Sequence, residues 1–192
     1  MRMRLELTGT TPLLCHNVQL SDPDNPFAQE MKAINAKRNK TEDDRHAVER
    51  LEWYGGLYSA DGLDGPALPT ANIRRCLNEA AKVTRRGKQL ERALLFTELH
   101  VPISYEGPRD IDKLFNSPEH HNRAAVRIGT SRVMRVRPCF PRWAVVAEAE
   151  LLEDVMDPEE LVAIAMRAGI AEGLGDNRRN GYGRFSAKVV AA

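Results

Sequence analysis

One stretch near the end of the chain, residues 142–190, decides the fold; it reads RWAVVAEAELLEDVMDPEELVAIAMRAGIAEGLGDNRRNGYGRFSAKVV. Apolar and polar residues alternate over 142–152, which predicts a strand with one buried face. Asp157 followed by Pro158 is a typical helix start, because aspartate caps a helix and proline fits its first position. A glycine-rich loop follows this helix, and renewed alternation over 182–190 predicts a final strand. The stretch is therefore predicted to form a β-α-β unit.

A second β-α-β unit precedes it. Alternation over 2–8 predicts a first strand, and alternation over 96–105 predicts a second one. The inward-facing residues of that second strand are Leu99, Val101, Ile103 and Tyr105. Between the two strands, Thr70 is the predicted N-cap of a helix with a buried apolar stripe. Together the two units predict an α+β fold of the ferredoxin-like class (split βαβ, RRM-like), a four-stranded antiparallel sheet with two helices on one face.

Two long insertions, residues 17–66 and 106–141, interrupt this fold. The first contains turn residues, a short helix, and a capping box formed by Thr41 and Asp44 that opens another helix. The second contains a short helix near 111–115 and an arginine-rich segment that predicts a hairpin. Loops of this length are usually functional or disordered, so we expect the insertions to contact neighbouring copies on a long strand.

The composition is that of one globular domain, since 42% of the 192 residues are hydrophobic and 29% are charged. No apolar run approaches the roughly 20 residues that span a bilayer, and the N-terminus lacks a signal-peptide pattern. The three cysteines are widely spaced and form no Cys-x-x-Cys pair, which argues against a disulfide framework and a zinc site. We therefore predict a cytoplasmic protein with no metal, no cofactor and no membrane partner.

A net charge of +1 conceals one strongly basic segment. Residues 123–142 contain six arginines and no acidic residue, a pattern that favours binding to a polyanion. These arginines are Arg123, Arg127, Arg132, Arg135, Arg137 and Arg142. Phe140 and Trp143 lie among them and are candidates for stacking on bases. The alternative is a solvated basic hairpin without a ligand.

The loop between the last helix and the last strand, GLGDNRRNGYG at 173–183, places two Gly-x-Gly pairs around a basic tip. Glycines permit positive φ and a close approach of backbone to a partner, so their N–H groups can face phosphate oxygens. Arg178 and Arg179 add positive charge, and Asn177 and Asn180 add hydrogen-bonding groups. The alternative is a purely structural helix-to-strand loop. The order helix-loop-strand excludes a Rossmann fingerprint, and no Gly-x-x-x-x-Gly-Lys-Ser/Thr motif occurs, which argues against a nucleoside-triphosphate enzyme.

Three segments together resemble a known family. The pattern Gly-h-Gly-x₅-Gly-h-Gly-x-h (h, hydrophobic) at the glycine loop is similar to the signature loop of the RAMP superfamily, the ferredoxin-like RNA-binding proteins that form backbone subunits and processing nucleases of CRISPR systems. Residues 5–14, LELTGTTPLL, resemble the first strand of that superfamily and the Thr-Pro-Leu turn after it. Residues 68–77, LPTANIRRCL, resemble the segment that opens its first helix, although Thr70 and Asn72 stand where that pattern has serines.

The resemblance implies that single-stranded RNA or DNA lies across the sheet face and against the glycine loop. It also implies that the 106–141 insertion is a thumb-like hairpin that reaches a neighbouring copy, giving a homo-oligomer along the strand. A stand-alone, virus-encoded single-strand-binding relative fits the residues equally well. The predicted nucleic-acid-binding residues are Gly173, Gly175, Asn177, Arg178, Arg179, Gly181, Gly183, Arg74, Arg75, Arg127, Arg132, Arg135, Arg137 and Arg142.

Residues with catalytic potential are few. His16 follows the first strand, and processing nucleases of the resembled superfamily often carry a catalytic histidine in a nearby helix. A histidine base can cleave RNA through its 2′-hydroxyl without a metal. We interpret Asp22 and Asp24 as turn residues and His120 and His121 as exposed loop residues rather than metal ligands. The main expectation is therefore a non-enzymatic single-strand-binding protein, with a metal-independent RNA-processing nuclease and a protein-interaction scaffold as the alternatives.

Overall fold

The chain forms a mixed α+β structure with antiparallel sheets, as the sequence predicts. The computed structural model describes residues 1–192, apart from the side chains at positions 128 and 131. Backbone contacts divide the chain into two compact units. The sheet unit comprises residues 1–13, 59–107 and 141–192, and the hairpin unit comprises 14–58 and 108–140. The hairpin unit contains most of both predicted insertions.

Ten strands and six α-helices make up the described chain. The strands are β1 (Arg2–Gly9), β2 (Leu13–Leu14), β3 (Ala67–Pro69), β4 (Leu94–Phe96), β5 (His100–Pro102), β6 (Ser104–Tyr105), β7 (His121–Ile128), β8 (Ser131–Phe140), β9 (Trp143–Leu151) and β10 (Phe185–Ala191). The helices are α1 (Pro26–Asn35), α2 (Glu42–Gly56), α3 (Thr70–Lys82), α4 (Gly87–Ala93), α5 (Ile111–Phe115) and α6 (Pro158–Arg167). No helix of the described chain is both long enough and apolar enough to cross a bilayer.

The main sheet of the sheet unit has the strand order β10-β1-β9-β4, with every neighbouring pair antiparallel. Leu5 lies opposite Val189 on one side and Ala147 on the other, so the inward faces of three strands are in register. The predicted alternation is confirmed, because Met3, Leu5 and Leu7 are at most 2% exposed. Helix α6 packs against β10 and α3, and the apolar stripes of both helices are buried.

Two predictions in this unit are wrong. The strand predicted over 96–105 is broken into β4, β5 and β6, and Leu99 is 82% exposed. Pro102 has no N–H to give to a ladder, and β5, which ends at Pro102, pairs with β3 while β4 and β6 pair with β9. The N-cap of α3 is Pro69 rather than Thr70, whose hydroxyl instead donates to the carbonyl oxygen of Glu98 at 2.7 Å.

The hairpin unit is built from α2 and the β7-β8 hairpin, and α2 packs against β8. The predicted capping box is confirmed: the Thr41 hydroxyl accepts from the Asp44 N–H and the Asp44 carboxylate accepts from the Thr41 N–H, both at 3.1 Å. Trp53 is the centre of this core, because it is fully buried and its indole N–H donates to the His120 carbonyl at 2.9 Å. Because β7 and β8 pair in antiparallel register, the arginine-rich segment forms a hairpin, as predicted.

Candidate nucleic-acid interface

The glycine loop joins α6 to β10 through a series of left-handed residues. Helix α6 continues as one π turn over Ala168–Glu172 and ends at Gly173, where φ is +75°. Gly175, Gly181 and Gly183 have φ values of +73°, +87° and +70°. Asn177, at φ +56°, precedes a short 3₁₀ turn that carries the two arginines of the tip. The predicted need for positive φ is thus met at every Gly-x-Gly position.

Two of the glycines are required by packing at the base of the loop. A Cβ on Gly183 would lie 1.9 Å from the Leu174 carbonyl oxygen, and a Cβ on Gly173 would lie 2.9 Å from two carbonyl oxygens. The Leu174 N–H donates to the Gly183 carbonyl at 2.8 Å, and the Gly183 N–H donates to the Pro12 carbonyl at 2.8 Å. These amides are consequently used inside the protein. At the tip, the Asn180 and Gly181 N–H groups also donate internally, to the Asn177 and Arg178 carbonyls at 3.0 Å.

The segment after β1 braces the same loop. The Thr11 hydroxyl donates to the Gly181 carbonyl and accepts from the Arg184 N–H, both at 2.8 Å. The Thr11 carbonyl in turn accepts from the buried Trp143 indole N–H at 2.8 Å. The threonine turn and the glycine loop, two of the three segments that carry the family resemblance, are therefore bonded to each other.

The tip of the loop lies beside α3. Burial raises the pKa of the Cys76 thiol to about 12, and the nearby Arg178 guanidinium opposes that rise. The hydrogen bond from Lys82 holds the pKa of the Glu79 carboxyl below its ordinary value, and Arg75 and Arg178 act in the same direction. Arg178 is half-buried while Arg179 is exposed. We call the tip and Arg75 the loop-tip surface; the carboxylates of Glu79 and Glu172 lie near its arginines.

The arginine-rich segment carries less free charge than the sequence suggests. Glu49 pairs with Arg123 at 2.8 Å, Glu52 pairs with Arg135, and Glu106 pairs with Arg142. Arg127 and Arg132 lie opposite each other near the hairpin turn, and neither has an acidic partner among the described side chains. At least three of the six arginines of the segment are therefore paired with carboxylates. The charge of Arg135 and of Arg142 is already balanced.

The outward face of the main sheet is electrically balanced as well. Arg2 pairs with Glu148 at 2.6 Å, and both Arg4 and Lys188 lie within 3.4 Å of a Glu6 oxygen. Among the described residues, no aromatic side chain stands on this face of β1, β9, β4 and β10. The implied path of nucleic acid across the sheet face thus lacks both net positive charge and a stacking surface.

Several predicted roles are contradicted by burial. Phe140 is 0% and Trp143 is 3% exposed, so neither can stack on a base. His120 is 1% exposed and its ring contacts the Ser117 hydroxyl, while His121 stacks on Trp53. The prediction that both histidines are exposed is wrong, because the core of the hairpin unit packs around them.

The structure also places the remaining candidate residues. Among the described side chains, no group of three metal-ligating residues is placed to hold an ion. The Asp22 carboxylate accepts from the Asp24 N–H at 2.9 Å, which is the turn geometry predicted for this pair. His16 is exposed.

Comparisons with known proteins identify the fold only. No protein-family model and no curated protein matches the chain. Among solved structures, it matches a chain of "Cryo-EM structure of the Type III-B Cmr-beta bound to cognate target RNA" with a TM-score of 0.52 and 11% identity. The two chains therefore share a fold. The match covers 99% of this chain but 60% of the other, so this chain spans about three fifths of its length.

Proposed function

We propose that this chain binds single-stranded nucleic acid through the loop-tip surface, with RNA as the first candidate, and that it does not cleave the strand. The observation that carries the proposal is the braced loop. Its base is held by Thr11 and Pro12, so the Arg178 and Arg179 cations are positioned before a ligand arrives. Binding then costs less conformational entropy than it would for a mobile loop.

The topology supports a finer proposal about the fold. The order β10-β1-β9-β4 places the fourth, first, third and second core strands side by side. That order, with two helices on one face, is the split βαβ arrangement of ferredoxin-like proteins. We propose that the sheet unit is such a domain.

RNA is proposed over DNA because the solved structure that contains a similar chain also contains RNA. The complex that contains the similar chain is described as bound to cognate target RNA. We extend that partner to this chain as a proposal, since 11% identity relates the folds and not the ligands.

The Arg178→Ala/Arg179→Ala double variant tests the loop-tip surface. We expect weaker binding of every single-stranded sequence alike, because phosphate contacts position a strand without reading its bases. The negative slope of log affinity against log salt should become shallower by roughly 0.7 for each lost phosphate contact, or about 1.4 in total. Fluorescence anisotropy with labelled single-stranded RNA, single-stranded DNA and duplex, each over a salt series, measures both effects.

The control variant is Arg4→Ala/Lys188→Ala, which also removes two cations but from the balanced sheet face. Its binding should match that of the parent protein. If the loop variant folds and binds like the parent, the loop-tip surface is not the binding site. If the parent binds no nucleic acid, the protein-interaction alternative is favoured.

Cleavage is measured on the same labelled strand. The parent and the His16→Ala variant should both bind and leave the strand intact. Cleavage by the parent that His16→Ala abolishes would establish the nuclease alternative instead.

We also propose that copies assemble side by side along the strand. The number of bound copies should then rise with oligonucleotide length, and native mass spectrometry or light scattering on oligonucleotides of 10 to 60 nucleotides counts them. One copy per strand at every length would contradict assembly without affecting the loop-tip proposal.

A further inference from the structure

The corner between α3 and α4 holds the densest basic segment of the sheet unit. Residues 74–92 contain seven lysines and arginines and two glutamates, a net charge of +5. Lys82 pairs with Glu79 and Arg86 pairs with Glu160, both at 2.7 Å. Arg85 and Lys88 are exposed and have no acidic partner among the described side chains.

These side chains surround a cleft of about 420 Å³. Its lining consists of Asn78, Lys82, Arg85, Gly87, Lys88 and Glu91. The Glu91 carboxylate accepts from the Asn78 amide at 2.5 Å, and the Glu91 carbonyl accepts from Arg74 at 3.0 Å. The one carboxylate of the cleft is thus held by an amide and does not pair with Arg85 or Lys88, so the cleft attracts anions.

The absence of a side chain at Gly87 keeps the floor of the cleft open. Gly87 is buried, and a Cβ there would lie 2.8 Å from the Asn78 Oδ1. That oxygen is itself buried without a donor among the described side chains. A larger residue than glycine would therefore push against Asn78 and fill the cleft.

The cleft is continuous with the loop-tip surface. Arg178 and Arg75 both act on the Glu79 carboxyl, and Glu79 holds Lys82, which lines the cleft. Glu79 and Lys82 are one helical turn apart on α3. Arg75, Glu79 and Lys82 also recur at i, i+4 and i+7 on α3, so one face of this helix runs from the loop-tip surface to the cleft.

The backbone at Arg85 is set by a Schellman motif that ends α3, in which the Arg86 N–H donates to the Ala81 carbonyl at 2.9 Å and the Arg85 N–H donates to the Lys82 carbonyl at 3.0 Å. The Arg85 φ of +62° is in the left-handed region, where glycine or asparagine is favoured. The helix end therefore accounts for the left-handed φ, and the Arg85 side chain lines the cleft.

We propose that the α3-α4 cleft is a second phosphate site for the same single strand, so that the strand follows α3 from the loop tip instead of crossing the sheet face. Arg85 and Lys88 bind the phosphodiester oxygens. This rests on the proposed function, since it assumes that the ligand is a single-stranded nucleic acid.

The test is the Arg85→Gly/Lys88→Ala variant. Glycine suits the left-handed φ at position 85, so the variant loses two cations without added backbone strain. We expect the salt slope to fall by about 1.4 for an oligonucleotide long enough to cover α3, and by about 2.8 in combination with Arg178→Ala/Arg179→Ala. Arg85→Lys, which keeps the charge, should retain the parent slope.

The outcomes separate this proposal from the proposed function. If the loop-tip variant loses affinity and the cleft variant does not, the second site is wrong and the proposed function stands. If the cleft variant alone loses affinity, the cleft binds the strand and the loop-tip assignment fails. Titration with inorganic tripolyphosphate is the last measurement. If tripolyphosphate binds the parent protein but not the cleft variant, while the cleft variant keeps the oligonucleotide affinity of the parent, the cleft is a site for a small polyphosphate. That result would overturn the proposal.

Discussion

Replacing Gly183 by alanine is expected to cost on the order of 3–5 kcal/mol of the free energy of unfolding. The new Cβ would lie 1.9 Å from the Leu174 carbonyl oxygen at a φ of +70°. The backbone must move apart, which breaks the hydrogen bonds that Gly183 makes with Leu174 and Pro12. Each of those bonds contributes about 1 kcal/mol, and the left-handed conformation costs an alanine a further 1–2 kcal/mol, approximately. Urea denaturation followed by circular dichroism measures the loss.

Gly181→Ala is the matched control in the same loop. Gly181 has a similar φ of +87°, but a Cβ there meets no atom within 4 Å. Only the conformational cost of about 1–2 kcal/mol remains. Equal losses for the two variants would mean that the close packing of Gly183 against Leu174 does not stabilise the loop. A second measurement is the alkylation rate of the buried Cys76 thiol, which should rise in Gly183→Ala because the base of the loop opens above it.

Local patterns in the sequence were sufficient to predict several of the regular elements. The alternation of β1 and β9, the Thr41 capping box and the start of α6 at Pro158 depend on residues within a few positions of one another. The glycine loop belongs to the same class, since positive φ is a property of each residue. These features were predicted correctly because local geometry determines them.

The interface could not be predicted in the same way because long-range contacts decide it. The acids that neutralise Arg123 and Arg135 are 74 and 83 residues away in the chain, and both lie on α2. The burial of Trp143 depends on its contact with Gly9, 134 residues earlier, where a Cβ would lie 2.2 Å from the indole. Neither relation has a signal in the local sequence, so the arginine-rich segment looked more available to a ligand than it is.

The α3-α4 corner shows the reverse effect. Lys82, Arg85 and Lys88 look like the ordinary polar side of a helix end. Their arrangement around a cleft depends on the turn between two helices, where Arg85 takes the left-handed C′ position of a Schellman motif that glycine usually occupies. The sequence alone favours ligand contacts on the hairpin, whereas the structure favours candidate contacts along α3.

Among the charged residues of the hairpin unit, Glu52 is the one whose removal we expect to lower the free energy of unfolding most. Its carboxylate is 5% exposed, accepts from the Arg135 guanidinium, and accepts from the buried Val136 N–H at 3.0 Å. Glu52→Ala leaves a partly buried cation and a buried N–H without this partner. Breaking a buried pair costs about 3–5 kcal/mol. Because the Arg135 side chain is 38% exposed, we expect a smaller loss for this pair, about 2–3 kcal/mol. Glu52→Gln, which keeps an acceptor for the N–H, should lose less.

The control is Glu49→Ala on the same helix, one turn earlier. Glu49 pairs with Arg123, whose side chain is 60% exposed, and an exposed pair is worth at most about 1 kcal/mol. Alanine favours a helix at both positions, so helix propensity does not separate the two variants. Urea midpoints that shift equally for Glu52→Ala and Glu49→Ala would contradict a structural role for the buried carboxylate. A larger shift for Glu52→Ala would show that one arginine of the basic segment, Arg135, serves to join α2 to β8 and is held by the fold before any ligand binds.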